Sequence, residues 1–343
     1  MLEIKDLIVH FKVFEGKAQV LNAINLQVRE GETVSIVGET GCGKSVTLRT
    51  ILGILPIPPG EIVSGQVRFK GKDLLSLSTE EFHPLRGKEL ALIPQEPMNS
   101  LNPVFTIEDQ FTVLIRRQGH RPGSWLSRIR RTIDRDGKKE AWEKALDLLA
   151  KMHIPDPARV MKSYPIELSG GMQQRVLIAM ALAGNPSLLI ADEPGTALDV
   201  TTQEQILRIM RERVEVENMA VLYITHNLGV AQEMTERIYV MYAGEIVEQA
   251  PTRSLFSDPK HPYTQGLLKS IPNLTGGEVE GIEGRIPDYT DPPPGCRFQP
   301  RCPFAMDECS IRPELYPVGD SHWVACYLPK PSDGRPTRTD VLE

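Results

Sequence analysis

The 343-residue chain has no excess of positive charge. Acidic side chains outnumber basic ones, 45 to 39, for a formal net charge of −6. A nucleic-acid binder normally carries a basic footprint, so nucleic acid is not an expected partner. Nor does the chain contain an apolar run long enough to cross a bilayer. Its longest uncharged stretch, "VLIAMALAGNPSLLIA" at 176–191, is too short and is broken by Gly184-Asn185-Pro186. That stretch reads as a buried helix, a turn and a buried strand. The opening "MLEIKDLIVHFKVFEGK" has no uninterrupted apolar core. It alternates apolar with polar residues, as a strand does and a secretory signal does not. The expected compartment is therefore the reducing cytosol, where structural disulfides are disfavoured. No internal repeat is visible. Cysteines are few, five in all, yet Cys296, Cys302, Cys309 and Cys326 crowd toward one end.

What is present is ordinary globular composition, 41% hydrophobic and 24% charged. Residues 1–265 alternate strand-like runs ("TVSIVG", "ELALIPQ", "SLLIADEP", "MAVLYITH") with helix-like runs. This alternation argues for an α/β fold with a largely parallel sheet covered by helices. Within it, residues 100–168 lack a buried strand run, and "KKEAWEKALDLLAKM" has an amphipathic helical pattern, so a helical insertion is expected there. A Gly- and Pro-rich, cysteine-bearing extension is expected over 266–330, and a disordered polar tail over 331–343. A basic stretch at 116–139, with Trp125 inside, holds nine Lys/Arg against two Asp. It reads as a solvated face, with anionic lipid headgroups and nucleic acid as alternatives.

"GETGCGKS" covers Gly38, Glu39, Thr40, Gly41, Cys42, Gly43, Lys44 and Ser45. It fits G-x-x-x-x-G-K-[ST], with the strand "TVSIV" before it and the apolar helix "SVTLRTILGIL" following. Glycines let the backbone wrap a polyphosphate with N–H groups inward, and the helix N-terminus adds partial positive charge. Lys44 suits the β- and γ-phosphates, and Ser45 offers a hydroxyl to Mg²⁺. Cys42, beside Lys44 and a helix N-terminus, is either a small filler or a thiol primed for alkylation. In "LLIADE", Asp192 is the expected Mg²⁺ partner, and Glu193 is placed to orient or deprotonate the attacking water. "LSGGMQQR" opens another helix, with Ser169 as N-cap and the amides of Gly170 and Gly171 exposed. This second anion-ready helix end lacks a lysine. The economical reading is that it completes the ATP site of another chain.

At that point the sequence resembles the ATP-binding-cassette family. Ser169, Gly170, Gly171 and Met172 lie where that family has its signature. The resemblance implies that Gln95 in "LIPQEP" reaches the γ-phosphate and Mg²⁺, that Asp199 belongs to the loop after the catalytic glutamate, and that His226 in "YITHN" is the γ-phosphate switch. It places Phe11 against adenine, with Phe14 as a rival. Gly195 departs from the Thr or Ser common in that loop. "QEPMNSLNPVFTI" and "HPYTQGLLKSIP" are similar to the ATPase subunits of dipeptide and oligopeptide importers. That group also takes nickel and some sugar oligomers.

The narrower resemblance implies partners: a second, non-identical cassette, two transmembrane permeases and an extracytoplasmic binding protein. It also implies a peripheral place on the cytoplasmic face of the membrane. It implies too that Cys296, Cys302, Cys309 and Cys326 hold a [4Fe-4S] cluster. Five, six and sixteen residues separate them, without the C-x2-C pairs usual for structural zinc. Zinc and free thiols stay open as alternatives. Two other functions remain open as well: a soluble cassette ATPase of DNA repair, translation or Fe–S assembly, and an iron–sulfur module that only senses nucleotide.

Overall fold

A computed structural model describes residues 1–118, 135–195, 199–270 and 281–329. Most of the basic stretch, Trp125 included, and the tail expected at 331–343 lie outside the described residues. In chain order the elements begin with β1 (Leu2–Val13), β2 (Gly16–Val28), β3 (Thr33–Val37), α1 (Lys44–Ile51), β4 (Gly60–Phe69) and β5 (Lys72–Asp73). Next come α2 (Thr79–Phe82), β6 (Leu90–Ile93), α3 (Pro97–Ser100), α4 (Ile107–Gln118), α5 (Arg135–Lys151) and α6 (Pro157–Lys162). Then follow α7 (Gly170–Leu182), β7 (Leu188–Asp192), α8 (Val200–Glu217), β8 (Ala220–Thr225) and α9 (Leu228–Met234). The last are β9 (Arg237–Tyr242), β10 (Glu245–Pro251), α10 (Thr252–Ser257), α11 (Pro262–Lys269), β11 (Tyr316–Gly319) and β12 (His322–Val324). They form two compact units, residues 1–75 with 222–343, and residues 76–221.

The first unit holds an antiparallel sheet in the order β2-β1-β4-β5. Its buried face alternates with period 2 in two runs, Leu2 and Ile4, then Leu7 and Val9, with a register shift between Ile4 and Leu7. A mixed arrangement lies beside it. β3 pairs parallel with β9, β9 antiparallel with β10, β10 with β12, and β12 with β11. β9 is buried at every residue, as its unbroken run of large side chains requires. One polar group in it, the Arg237 guanidinium, is paired at each of its three nitrogens. Nε and Nη2 donate to the two Glu32 carboxylate oxygens at 2.9 Å each, and Nη1 to Tyr239 Oη at 2.6 Å.

The segment after 265 does not stand apart. It belongs to the same unit, and β12 adds to the sheet through Glu248↔Val324 and Gln249↔Trp323. Phe298 packs with Tyr242 and Tyr263 in the core, ring centroids 5.1 and 5.5 Å away. Glu248, wholly buried, accepts from the amides of Lys260 and His261 at 2.7 and 3.0 Å. It also contacts His322 Nε2 at 2.7 Å, which ties the start of α11 to β12.

In the second unit β6 and β7 pair in parallel, from Leu90↔Leu188 to Ile93↔Ala191. Helices make up most of the rest. Phe111 of α4 and Ala141, Ala145 and Leu149 of α5 are buried. α7 buries residues on most of its surface, among them Val176, Leu177, Ile178, Ala179 and Leu182. A helix apolar almost all round must lie inside its unit.

Candidate nucleotide site and cysteine cavity

The phosphate loop runs from the end of β3 into α1. Gly43, at φ +114°, makes the turn that starts the helix, a backbone region only glycine enters without strain. Gly38 lies so close to β9 that a Cβ there would sit 2.1 Å from Met241 O. The Cys42 carbonyl is anchored by Gly244 N–H at 2.7 Å. Lys44 Nζ donates to Gly38 O and Glu39 O at 2.7 and 2.9 Å. Thr40, Gly41 and Ser45 are exposed and Val46 half-buried. An exposed helix N-terminus with a lysine ammonium beside it is a strong anion site.

The reading of Cys42 as a primed thiol is corrected by its burial. The side chain is fully enclosed, and burial pushes the thiol up despite the nearby Lys44. Desolvation of the thiolate outweighs the lysine's attraction. Phe11 lies half-buried on β1, while Phe14 stands fully exposed at the β1–β2 turn. His226, also exposed, follows β8 and precedes Asn227. That asparagine caps α9 by accepting from the amides of Gly229 and Val230.

Three residues that sequence reasoning left without a role also reach this loop. Tyr263 Oη accepts from Glu39 N–H at 2.9 Å, and Tyr289 Oη donates to Gly41 O at 2.7 Å. Arg301 Nη1 donates to both carboxylate oxygens of Glu39 at 3.2 and 3.1 Å. Only "HPYTQ" had drawn attention, as a mark of resemblance.

In the second unit the structure brings Gln95 and Glu193 together. Gln95, just beyond β6, donates from Nε2 to Glu193 Oε2 at 3.0 Å. Asp192 is the last residue of β7, and Glu193 follows it with φ +47°. A non-glycine residue in the left-handed region is strained by about 1–2 kcal/mol, and such strain gathers at functional sites. Ser169 caps α7, its Oγ accepting from Met172 N–H at 3.4 Å. Asp199 caps α8, accepting from Thr202 N–H at 3.0 Å, which holds its carboxyl below the usual carboxylate range. Gly171 allows the two helix starts to approach, since a Cβ there would meet Thr202 Cγ2 at 2.7 Å. Gln174 Nε2 donates to Pro194 O at 2.9 Å and so fastens α7 to the residue after Glu193.

Cys296, Cys302, Cys309 and Cys326 line one cavity in the first unit, with His261, Phe298, Phe304 and Met306 around them. None is in a disulfide. Burial pushes Cys296 up to about 12 and Cys326 up to about 11, and it raises Cys302. The amides of Phe298, Leu328 and Phe304, each two residues further on, act against that rise without cancelling it. Amides aimed at sulfur stabilise thiolates, and a coordinated cation would overcome the desolvation. Among the described residues, no group of three or more His, Cys, Asp or Glu is arranged to hold a single metal ion. Four thiols lining one cavity are a soft donor set, of the kind that suits iron–sulfur or zinc.

A phosphate loop opening α1, an acidic strand end and a capped Ser-Gly-Gly helix start together define a cassette-type ATPase. The family model "ABC transporter" matches residues 21–196, and the chain belongs to that family. A second model, "Oligopeptide/dipeptide transporter, C-terminal region", matches residues 247–309. Within the family the chain groups with the ATP-binding subunits of that branch. It is 43% identical to the oligopeptide transport ATP-binding protein OppD of Bacillus subtilis, over 96% of this chain and 89% of that one. It is 41% identical to the dipeptide transport ATP-binding protein DppD of Escherichia coli, over 98% and 99%. Among solved structures, the ATP-binding cassette MJ0796 bound to ADP and Pi is similar, with TM-score 0.61 and 28% identity. The match covers 74% of this chain and 99% of that one.

Proposed function

We propose that the chain is the ATP-hydrolysing subunit of an importer that moves peptides, or a related solute, across the cytoplasmic membrane. One observation carries this reading: a complete phosphate loop and a strained Glu193 lie in a chain whose later residues match the oligopeptide/dipeptide region. No helix among the described residues is long and apolar enough to cross a membrane, so transport needs separate permeases. The partners are two such permeases, a second, non-identical cassette and an extracytoplasmic binding protein. The chain sits peripherally on the cytoplasmic face.

Lys44 and the loop amides hold the β- and γ-phosphates. Ser45, Gln95 and Asp192 would hold Mg²⁺, which supplies charge neutralisation at those phosphates. Glu193, steadied by Gln95, orients the attacking water and accepts its proton, and His226 contacts the γ-phosphate. Phe11 stacks on adenine. Ser169, Gly170, Gly171, Met172 and Asp199 serve the nucleotide of the partner cassette. Cys296, Cys302, Cys309 and Cys326 would hold a [4Fe-4S] cluster that staples the extension.

Co-purification from native membranes in mild detergent, followed by mass spectrometry, tests the assembly. Two multi-span proteins and a second cassette are expected. A chain recovered alone would overturn the transport reading in favour of a soluble ATPase. Anaerobic purification with iron and sulfide counting tests the cluster. A folded, colourless, iron-free protein would refute it.

A further inference from the structure

The contacts between the extension and the phosphate loop go beyond packing. Gly41 is exposed, with open space where a Cβ would lie. Beside the bonds of Lys44 Nζ and the Cys42 amide to Glu39 O, the stretch from Glu39 to Gly41 is hydrogen-bonded to Tyr263, Tyr289 and Arg301. These donors and acceptors are themselves held. Tyr289 O accepts from Gln19 N–H of β2 at 2.7 Å. Arg301, its side chain 6% exposed, donates from Nε to Glu283 O at 2.8 Å and from Nη2 to Ile282 O at 3.1 Å. Its guanidinium also stands 5.6 Å from the centre of the Tyr242 ring. A guanidinium fixed on three sides presents its remaining edge to Glu39 in a set direction. The next residue is Cys302, one of the four that line the cavity.

We propose that Tyr289 and Arg301 are positioning residues for the phosphate loop. They set the loop conformation that takes the ATP phosphates, and they make nucleotide affinity depend on the order of the cysteine-bearing extension. The proposal rests on the reading of Gly38–Ser45 as the ATP site.

Equilibrium binding of Mg-ATP to the full-length chain, with turnover of the assembled transporter at saturating ATP, tests it. Tyr289→Phe removes one hydroxyl and should raise the Kd for ATP about three- to fivefold. Arg301→Ala should raise it about tenfold or more, and Arg301→Lys should recover part of the loss, since it restores charge but not the fork. Glu39→Gln should match Arg301→Ala, and the double variant should be no worse than either alone. For the Tyr289 and Arg301 variants alone, turnover at saturating ATP should stay within about twofold, because neither of those side chains touches the reacting atoms. Lys44→Ala separates the two levels of the argument. If it abolishes binding while Tyr289→Phe and both Arg301 variants bind like the parent, the positioning role is overturned. If Lys44→Ala binds normally, the site reading fails, and this inference with it. Loss confined to Arg301→Ala, together with a lowered unfolding midpoint and a normal Tyr289→Phe, also overturns it.

Discussion

Replacing Glu248 by Ala should loosen the extension while leaving the phosphate loop's sequence untouched. The carboxylate is wholly buried. It accepts from two amides at the start of α11 and meets His322 Nε2 of β12. Without it, one buried and one part-buried N–H group and one imidazole nitrogen lose their partner. An orphaned buried group costs about 1–3 kcal/mol, and entering water recovers part of that, so a net loss of about 3–5 kcal/mol is expected. Against a total stability of roughly 5–15 kcal/mol, that is a large share. Glu248→Gln keeps one acceptor oxygen and should lose about half as much. Native-state hydrogen exchange reads the effect locally. The His261 amide and the amides of β12 should exchange about a hundred- to a thousandfold faster, with β6 and β7 unaffected. Exchange in Glu248→Ala within about threefold of the parent would refute the claim that this one carboxylate fastens α11 to β12.

Further expectations are testable by simpler means. Glu193→Gln should keep ATP affinity, cut turnover by about a thousandfold or more and accumulate a closed dimer by size-exclusion chromatography; undiminished phosphate release would remove its assigned role. Cys42 should react with iodoacetamide at pH 8 far more slowly than a free cysteine, because burial both encloses the thiol and raises it; equal rates measured by mass spectrometry would contradict this. Gly41→Ala, with open space but φ +86°, should weaken ATP binding about fivefold through backbone strain. Gly38→Ala, whose Cβ would strike the Met241 carbonyl, should weaken it by more than a hundredfold; similar losses for the two in a titration would defeat the distinction.

What was legible in the sequence was local. Ser169 as N-cap followed from Ser-Gly-Gly before an apolar run, and the strand ending in Asp192 followed from "LLIADE". Those features depend on periodicity and capping, which act over a few residues. The left-handed backbone at Glu193 carried no signal, because glutamate gives no warning of positive φ. The grip on the phosphate loop was hidden for another reason. Tyr263, Tyr289 and Arg301 lie 224, 248 and 262 residues from their loop partners. Nothing local in "HPYTQ" or "RCPF" predicts such partners. At Cys42 the sequence left a filler and a primed thiol both open, because neighbouring charge is readable from it and enclosure is not; burial favours the filler.

The short hairpin of β11 and β12 also bears on solubility. Without it, β10 would end the sheet with a row of open N–H and C=O groups, a template on which other chains stack into aggregates. β12 occupies that edge, and the new border, β11, is four residues long and contains Pro317, which has no N–H to offer. A version cut before residue 316 would keep every phosphate-binding residue. It should nonetheless precipitate on concentration, because the sheet would have lost its guard strand.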